Sequence, residues 1–475
     1  MQRSSTMSKL HLVFLLLHLV LLLHVCFLFA NSHSVVKSLP GFQGKLPFYL
    51  ETGYVGVGEA EDVQLFYYFV ESDGNPKEDP LLLWLTGGPG CSALSGLVYE
   101  IGPINFEINV EYNGSLPSLV LNPSSWTKVS NIIFVDSPVG TGFSYATSPA
   151  AAQSSDSKNV HHSYQFLMKW LMDHPEFLSN PVYIAGDSYS GLIIPPLVQQ
   201  VINGNQEGSY PPVNLQGYII GNGLTDSSFD DNSKIPFAHG MGLISDELYE
   251  SLKRNCKGEY INIVPSNQEC LENIRAYDEC TSRINAGQIL EPLCAFASPK
   301  PGLMFGKRRS LSKSSQDSLK SEPSLPDLGC HTYRYFLSPY WVNDYRVRKA
   351  LHIREGTVET WVRCNYGLPY MKDIPSSFQY HVNLAKRNLR SLIYSGDHDM
   401  MVPFLGTQAW IRALNYSIVD EWRPWFLQGQ VAGYSRTYSN NMTFATVKGG
   451  GHTAPEYKPA ECFAMFKRWM KEEAL

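Results

Sequence analysis

Charge is scarce in this sequence and nearly balanced. Its 38 basic and 44 acidic side chains are 17% of 475 residues and leave a net charge of -6. That argues against nucleic acid or an anionic membrane surface as the main partner. After residue 30 no stretch is long and apolar enough to span a bilayer. No C-x-x-C or H-x-x-x-H spacing occurs, so neither a metal nor a cofactor is expected. No internal repeat is visible. With 44% hydrophobic residues the composition is globular, and no disordered or fibrous class fits. The length allows one large domain or two to three small ones.

What is present begins with an apolar run. Arg3 and Lys9 precede residues 10–30, and small residues follow at Ala30, Ser32 and Ser34. This reads as a secretory signal peptide over residues 1–34. A retained anchor is the alternative, but His11, His18 and His24 interrupt the run and favour cleavage. A secreted or vacuolar protein with no membrane attachment after signal removal is the expectation. Of nine cysteines, Cys26 falls in the signal, and several of the other eight should pair in an oxidising compartment. Sequons at Asn113, Asn415 and Asn441 predict glycosylation.

Short apolar runs then alternate with helix-like segments. Val63–Val70, Pro80–Leu85, Asn131–Asp136, Tyr183–Gly186, Gly217–Gly223, Arg390–Gly396 and Thr443–Val447 read as strands. Val160–Leu171 and the segment from Pro459 to about Glu473 read as helices. Continuously apolar strands alternating with helices predict an α/β fold, a mostly parallel sheet covered on both faces. Residues 35–224 and 336–475 form the two parts of this core. Residues 225–335, amphipathic and cysteine-rich, read as a helical cap insertion. Inside it a polar linker at about 298–328 carries Lys307-Arg308-Arg309, a cleavage site that would give two chains.

The chemistry is carried at strand ends. Val182–Gly191 is a strand, a sharp corner at Ser188 and a helix start, the layout of a nucleophile elbow, although Ser190 stands where the strict pattern has its last glycine. Asp397 or Asp399 follows a later strand, and His452 follows the last one. The order Ser, Asp, His is that of the α/β-hydrolase fold. A serine hydroxyl needs an imidazole to take its proton, and a buried carboxylate to fix that imidazole. Gly87-Gly88-Pro89-Gly90 suits an oxyanion hole, with N–H groups of Gly88 and Tyr189 as donors. A phosphate-cradling loop is excluded, because Pro89 has no N–H and no Walker lysine follows.

Five motifs then resemble one family. WLTGGPGCS from Trp84, DSPVGTGFSY from Asp136, GDSYSG from Gly186, GDHD from Gly396 and GGGHTAP from Gly449 look like the serine carboxypeptidase family, peptidase family S10. The resemblance covers nearly the whole chain after the signal. It implies Asp399 rather than Asp397 as the triad acid, and Trp84, Thr86, Gly87, Glu100 and Asp187 on the substrate side. It also implies disulfides Cys91–Cys364, Cys256–Cys270 and Cys294–Cys330, with Cys280 and Cys462 free. Two positions depart from typical carboxypeptidases of the family, which carry Asn where this chain has Thr86 and Glu where it has Asp187. There the amide and a protonated acid pair hold the peptide's terminal carboxylate. The changes resemble the plant serine carboxypeptidase-like acyltransferases. The expected partners are therefore a 1-O-β-acylglucose donor and an alcohol acceptor. The alternative is a carboxypeptidase releasing C-terminal amino acids.

Overall fold

The computed structural model describes residues 33–108, 115–293 and 331–475. The segment up to residue 32, Asn113, the pair Cys294–Cys330 and the linker with Arg308 and Arg309 lie outside the described residues.

In chain order the core elements are strands β1 (His33–Val35), β2 (Leu50–Val57), β3 (Val63–Val70), β4 (Leu81–Leu85) and β5 (Asn131–Val135), helix α1 (Asp156–Asp173), strand β6 (Val182–Asp187), helix α2 (Ile194–Glu207) and strand β7 (Leu215–Gly221). After the insertion come strand β8 (Arg390–Gly396), strands β9 (Ile418–Leu427), β10 (Gln430–Tyr438) and β11 (Met442–Val447), and the C-terminal helix Pro459–Met470. The sheet runs β1-β2-β3-β5-β4-β6-β7-β8-β11-β10-β9. Its middle, β5-β4-β6-β7-β8-β11, is parallel throughout. Antiparallel strands flank it on both sides. This is a mixed, mostly parallel α/β-hydrolase sheet in its central part.

Strand periodicity explains the two-sided burial. Leu81, Leu83 and Leu85 of β4 join one apolar core, which packs Phe166, Trp170, Ile194 and Leu197 from α1 and α2. Leu82 and Trp84 point the other way, into a second core with Met465, Phe466 and Trp469 of the C-terminal helix. Side chains alternate across a strand, so a continuous apolar run is what a sheet buried on both faces demands. Local signals set the helix ends. Ser155 caps α1 by accepting from Lys158 N, and α2 stops at Gly208 with φ +80°.

Among the described residues the sheet begins at His33, within the stretch read as signal: His33 pairs with Gly53 and Ser34 with Thr52. This pairing was not read from the sequence. The antiparallel β9–β10 hairpin also escaped the sequence reading. It is an edge pair whose first strand carries Asp420, Glu421, Arg423 and Pro424. Charge and proline are how exposed edges avoid further pairing, and they erase the apolar signature.

Between β7 and residue 293 the chain is helices and loops. Asp246–Cys256 and Gln268–Thr281 are its longest helices, joined by the Cys256–Cys270 disulfide. They carry a small core of their own, with Ile235, Ile244 and Leu252.

Candidate active site

Strand β6 ends at Asp187 and the backbone turns at once. Ser188 sits at φ +55°, a left-handed conformation that a non-glycine residue adopts only when its surroundings enforce it. The enforcement is visible on both sides. A Cβ on Gly186 would lie 2.1 Å from Leu85 O, and one on Gly191 2.4 Å from Leu224 O. Ser190, the departure from the strict motif, donates its hydroxyl to Asp187 O at 2.6 Å and so closes the turn. Leu224 N donates to Ser188 O at 2.9 Å.

The glycine loop after β11 brings His452 to this corner. His452 Nε2 lies 2.7 Å from Ser188 Oγ, and Nδ1 lies 2.8 Å from Asp399 Oδ2. Asp399 is fully buried. It also accepts from Asn222 Nδ2 at 2.8 Å and Met401 N at 2.7 Å. Burial alone would lower the imidazole's basicity, but the charge of Asp399 and its hydrogen bond outweigh it, and the His452 pKa is raised. Asp397 does something else. Its Oδ1 takes a hydrogen bond from Gly449 N and meets His398 Nδ1, both at 2.6 Å, and so steadies the loop that carries His452.

Two supports were not read from the sequence. Asn222, at the end of β7 with φ +43°, holds Asp399 with its amide nitrogen and Gly396 N with its oxygen. Gly287, from the insertion, accepts from His452 N at 2.6 Å. Asn222 stood in plain view at a strand end; Gly287 lies in a segment with no motif.

The glycine loop after β4 lies against the serine turn. A Cβ on Gly87 would sit 2.5 Å from Ser188 Cβ and 2.8 Å from Tyr189 N. Only glycine permits that approach. The N–H of Tyr189 belongs to the first turn of a short helix that has no side-chain cap, so it is an orphan donor free to meet a ligand. Gly88 and Tyr189 share the wall of a cavity of about 160 Å³, whose apolar lining includes Leu192, Leu224 and Ile374. The loop itself is braced from below. Asp136 accepts from Ser92 Oγ at 2.7 Å and Ala93 N at 2.8 Å. Burial pushes the Asp136 carboxyl up to about 6. Gly142 is needed because a Cβ there would meet Asp136 Oδ2 at 2.0 Å.

Beside the serine, Asp187 and Glu100 form a buried carboxyl pair. Burial, then the charge of its partner, holds Glu100 well above the usual carboxylate range. Burial also raises Asp187, opposed by His452 and by the Gly87 N–H, which donates to Asp187 Oδ1 at 3.1 Å. Thr86 is part-exposed, and its Oγ1 accepts from Trp84 Nε1 at 3.2 Å. Trp84 is 0% exposed and meets Thr86 through its indole N–H.

The disulfide Cys91–Cys364 ties this loop to the second half of the core across 273 residues of sequence. Ser92 N donates to Arg363 O at 2.7 Å and Asn365 N to Gly90 O at 2.8 Å beside it. A family model described as serine carboxypeptidase matches residues 40–472.

The chain belongs to the serine carboxypeptidase family.

It is 56% identical to serine carboxypeptidase-like 1 of Arabidopsis thaliana over 460 residues, 96% of this chain and 97% of that one. It is 52% identical to serine carboxypeptidase-like 19 of the same plant, over 98% of this chain and 100% of the other. Among solved structures, a prohormone-processing carboxypeptidase from Saccharomyces cerevisiae superposes with a TM-score of 0.69 at 20% identity, covering 90% of this chain and 92% of that one. That likeness shows the fold. Two disulfides fit an oxidising compartment. Among described cysteines, Cys280 is free and exposed and Cys462 free and buried. Asn415 and Asn441 are both exposed. Asn441 Nδ2 donates to Asn388 Oδ1 at 2.8 Å.

Proposed function

We propose that this family member is an acyltransferase that moves an acyl group from a 1-O-β-acylglucose to an alcohol through an acyl-serine. Ser188 Oγ attacks the acyl carbonyl while His452 Nε2 takes its proton. The oxyanion is met by the N–H groups of Gly88 and Tyr189. Collapse expels the anomeric oxygen of glucose, which leaves with the proton from His452. The acceptor hydroxyl then gives its proton to His452 and attacks the acyl-Ser188 carbonyl, and collapse breaks the bond to Ser188 Oγ, which takes the proton back from His452. Asp399 stabilises the imidazolium twice per cycle.

The observation that carries the choice of substrate is Thr86. Its hydroxyl oxygen already accepts from the Trp84 indole, which leaves one proton and one lone pair toward the cleft. That is the pattern a sugar or alcohol hydroxyl matches. A terminal carboxylate needs donors only, and an amide would offer two.

The decisive experiment offers purified protein a hydroxycinnamoyl glucose with a panel of alcohols and, separately, blocked dipeptides. Faster turnover of the peptides overturns the reading. The buried carboxyl pair favours the second reading, a carboxypeptidase working at acidic pH, because a protonated Glu100–Asp187 pair can donate to a peptide carboxylate.

The same reading sends the chain through the secretory pathway to a secreted or vacuolar location, with Asn113, Asn415 and Asn441 as sugar acceptors. Cleavage at Arg308 or Arg309 with Cys294–Cys330 bridged gives two chains that separate on a denaturing gel only after reduction. A single chain in native tissue counts against processing.

A further inference from the structure

Three side chains outside the catalytic site converge where the sheet's first two strands meet the end of α1. His33 comes from β1, Glu51 from β2 and His174 from the residue that ends α1. His174 Nε2 lies 3.0 Å from Glu51 Oε1, and His33 Nε2 lies 3.8 Å from Glu51 Oε2. One ligand atom from each falls within 4.8 Å of the other two. Glu51 is 1% and His174 4% exposed.

The surroundings are built for a positive charge at the centre. His174 Nδ1 lies 2.9 Å from Trp170 O, so Nδ1 carries a proton and donates to that carbonyl. This aims Nε2 at a carboxylate oxygen. Two lone pairs face each other at hydrogen-bond range, and a cation must lie between them. A second proton on His174 would serve, as in an ordinary ion pair. An ion pair, however, has no use for His33, whose 3.8 Å approach to the other carboxylate oxygen is too long for a hydrogen bond. The outer partners are those of a ligand carboxylate. Tyr67 Oη donates to Glu51 Oε1 at 2.6 Å and Tyr49 Oη to Oε2 at 2.9 Å. The His174 ring is stacked on Trp170 with centroids 4.0 Å apart. Such partners orient ligands and fix tautomers in metal sites.

We propose that, in a chain whose signal is cut before residue 33, His33, Glu51 and His174 form a binding site for a borderline divalent cation, with zinc as its type. Two imidazoles and one carboxylate suit zinc, whereas magnesium and calcium take oxygen sets. Bonds of about 2.0–2.2 Å in a tetrahedron set ligand atoms roughly 3.3 Å apart. One pair already stands at 3.0 Å. The pair that must close is His33's, and its side chain is the exposed member at 23%, on a strand of three residues. Water on that side supplies the fourth ligand. The three positions are separated by 18 and 123 residues, so no local spacing announces them. A bound ion ties the first strand to the end of α1. It takes no part in acyl transfer.

The test is calorimetric titration of the chelator-stripped chain, His33 included, with zinc chloride. One tight equivalent is expected, with a rise in melting temperature. His33→Ala, on the exposed strand, should weaken that equivalent by at least about tenfold and leave kcat/KM unchanged. His174→Gln should abolish it. No tight equivalent, or one that His33→Ala leaves at wild-type affinity, overturns the site. Should His174→Gln fail to fold, the comparison of His33→Ala with wild type decides alone.

Discussion

Replacing Asp399 by Asn tests the catalytic geometry more sharply than removing it. Asp399 receives three donors: Met401 N on Oδ1, and Asn222 Nδ2 and His452 Nδ1 on Oδ2. An amide has one acceptor atom, so one side must now present N–H to N–H. If its oxygen stays toward His452, its NH2 faces the Met401 N–H inside a fully buried site, leaving a donor unpaired at about 1–3 kcal/mol. If it flips, the NH2 faces His452 Nδ1, which must become an acceptor. The imidazole proton then moves to Nε2 and points at Ser188 Oγ, the wrong tautomer for a general base. The expected loss in kcat/KM is about 10⁴-fold, or roughly 5.4 kcal/mol at 1.36 kcal/mol per decade. The pH profile supplies a second readout. Asp399 raises the His452 pKa, and only the neutral imidazole is a base. Wild-type activity therefore rises with pH through that raised pKa, and without the carboxylate the limb moves to lower pH. Asp397→Asn disturbs only the contacts to Gly449 and His398, and should cost about tenfold or less. The assay is steady-state acyl transfer by both variants from pH 4 to 9, with folding checked by circular dichroism. Equal losses, or an unmoved acid limb in Asp399→Asn, refute the assignment.

Ser188→Ala is expected to fold and be secreted normally while losing transfer by at least about 10³-fold; appreciable turnover in pure mutant protein rules out Ser188 as nucleophile. Leu224→Trp fills the cavity beside Gly88 and Tyr189 and should lower kcat/KM for a bulky acyl donor more than tenfold. A small acylating probe that stops at Ser188 should still react, and equal losses for both would mean that the serine turn has been disturbed. Removing Cys91–Cys364 by a double change to Ala opens a 273-residue link, which loop-closure arguments put at about 5–6 kcal/mol. A melting temperature that does not fall shows the bond to be dispensable. Thr86→Asn with Asp187→Glu should lower use of acylglucose and raise peptidase activity at acidic pH, read as the ratio of kcat/KM for the two substrates. A wild type that already prefers the peptide sinks the acyltransferase reading, and an unmoved ratio in the variant places specificity elsewhere in the cleft.

Most of the frame of the candidate site was legible because it sits where regular structure stops. Ser188, Asp399 and His452 each follow a strand whose apolar run is unmistakable, and parallel strands deliver their carboxyl ends to one edge. The burial of Trp84 was legible as well. Period-2 alternation through Leu81–Leu85 puts Trp84 on the face of Leu82, inside the second core, yet its place beside Thr86 in one motif suggested a shared role. Gly287 could not be read, and Asn222, though visible at a strand end, gave no sign of its role, since their work is to hold other residues across 165 and 177 positions of sequence. Nothing local in a chain encodes such a contact. The same holds for His33, Glu51 and His174, which the β1–β2 pairing and the end of α1 assemble.

The carboxyl pair and Thr86 pull the substrate question in opposite directions, and the geometry weighs them unequally. Asp187 is anchored: its Oδ1 is taken by Gly87 N, the backbone amide that precedes the proposed oxyanion donor Gly88. Both carboxyl side chains are 3% exposed. Glu100 Oε2 is buried with no hydrogen-bond partner, so the pair is not satisfied within itself. A glutamate at 187 would have one more methylene with which to reach past Gly87 toward the cleft. The aspartate spends its reach on the glycine loop after β4. Thr86, in the same loop, is part-exposed. Its single proton cannot replace the paired donors a carboxylate demands, and a buried group left unpaired costs a site its affinity. A hydroxyl-bearing leaving group or acceptor asks for no more than Thr86 has to give.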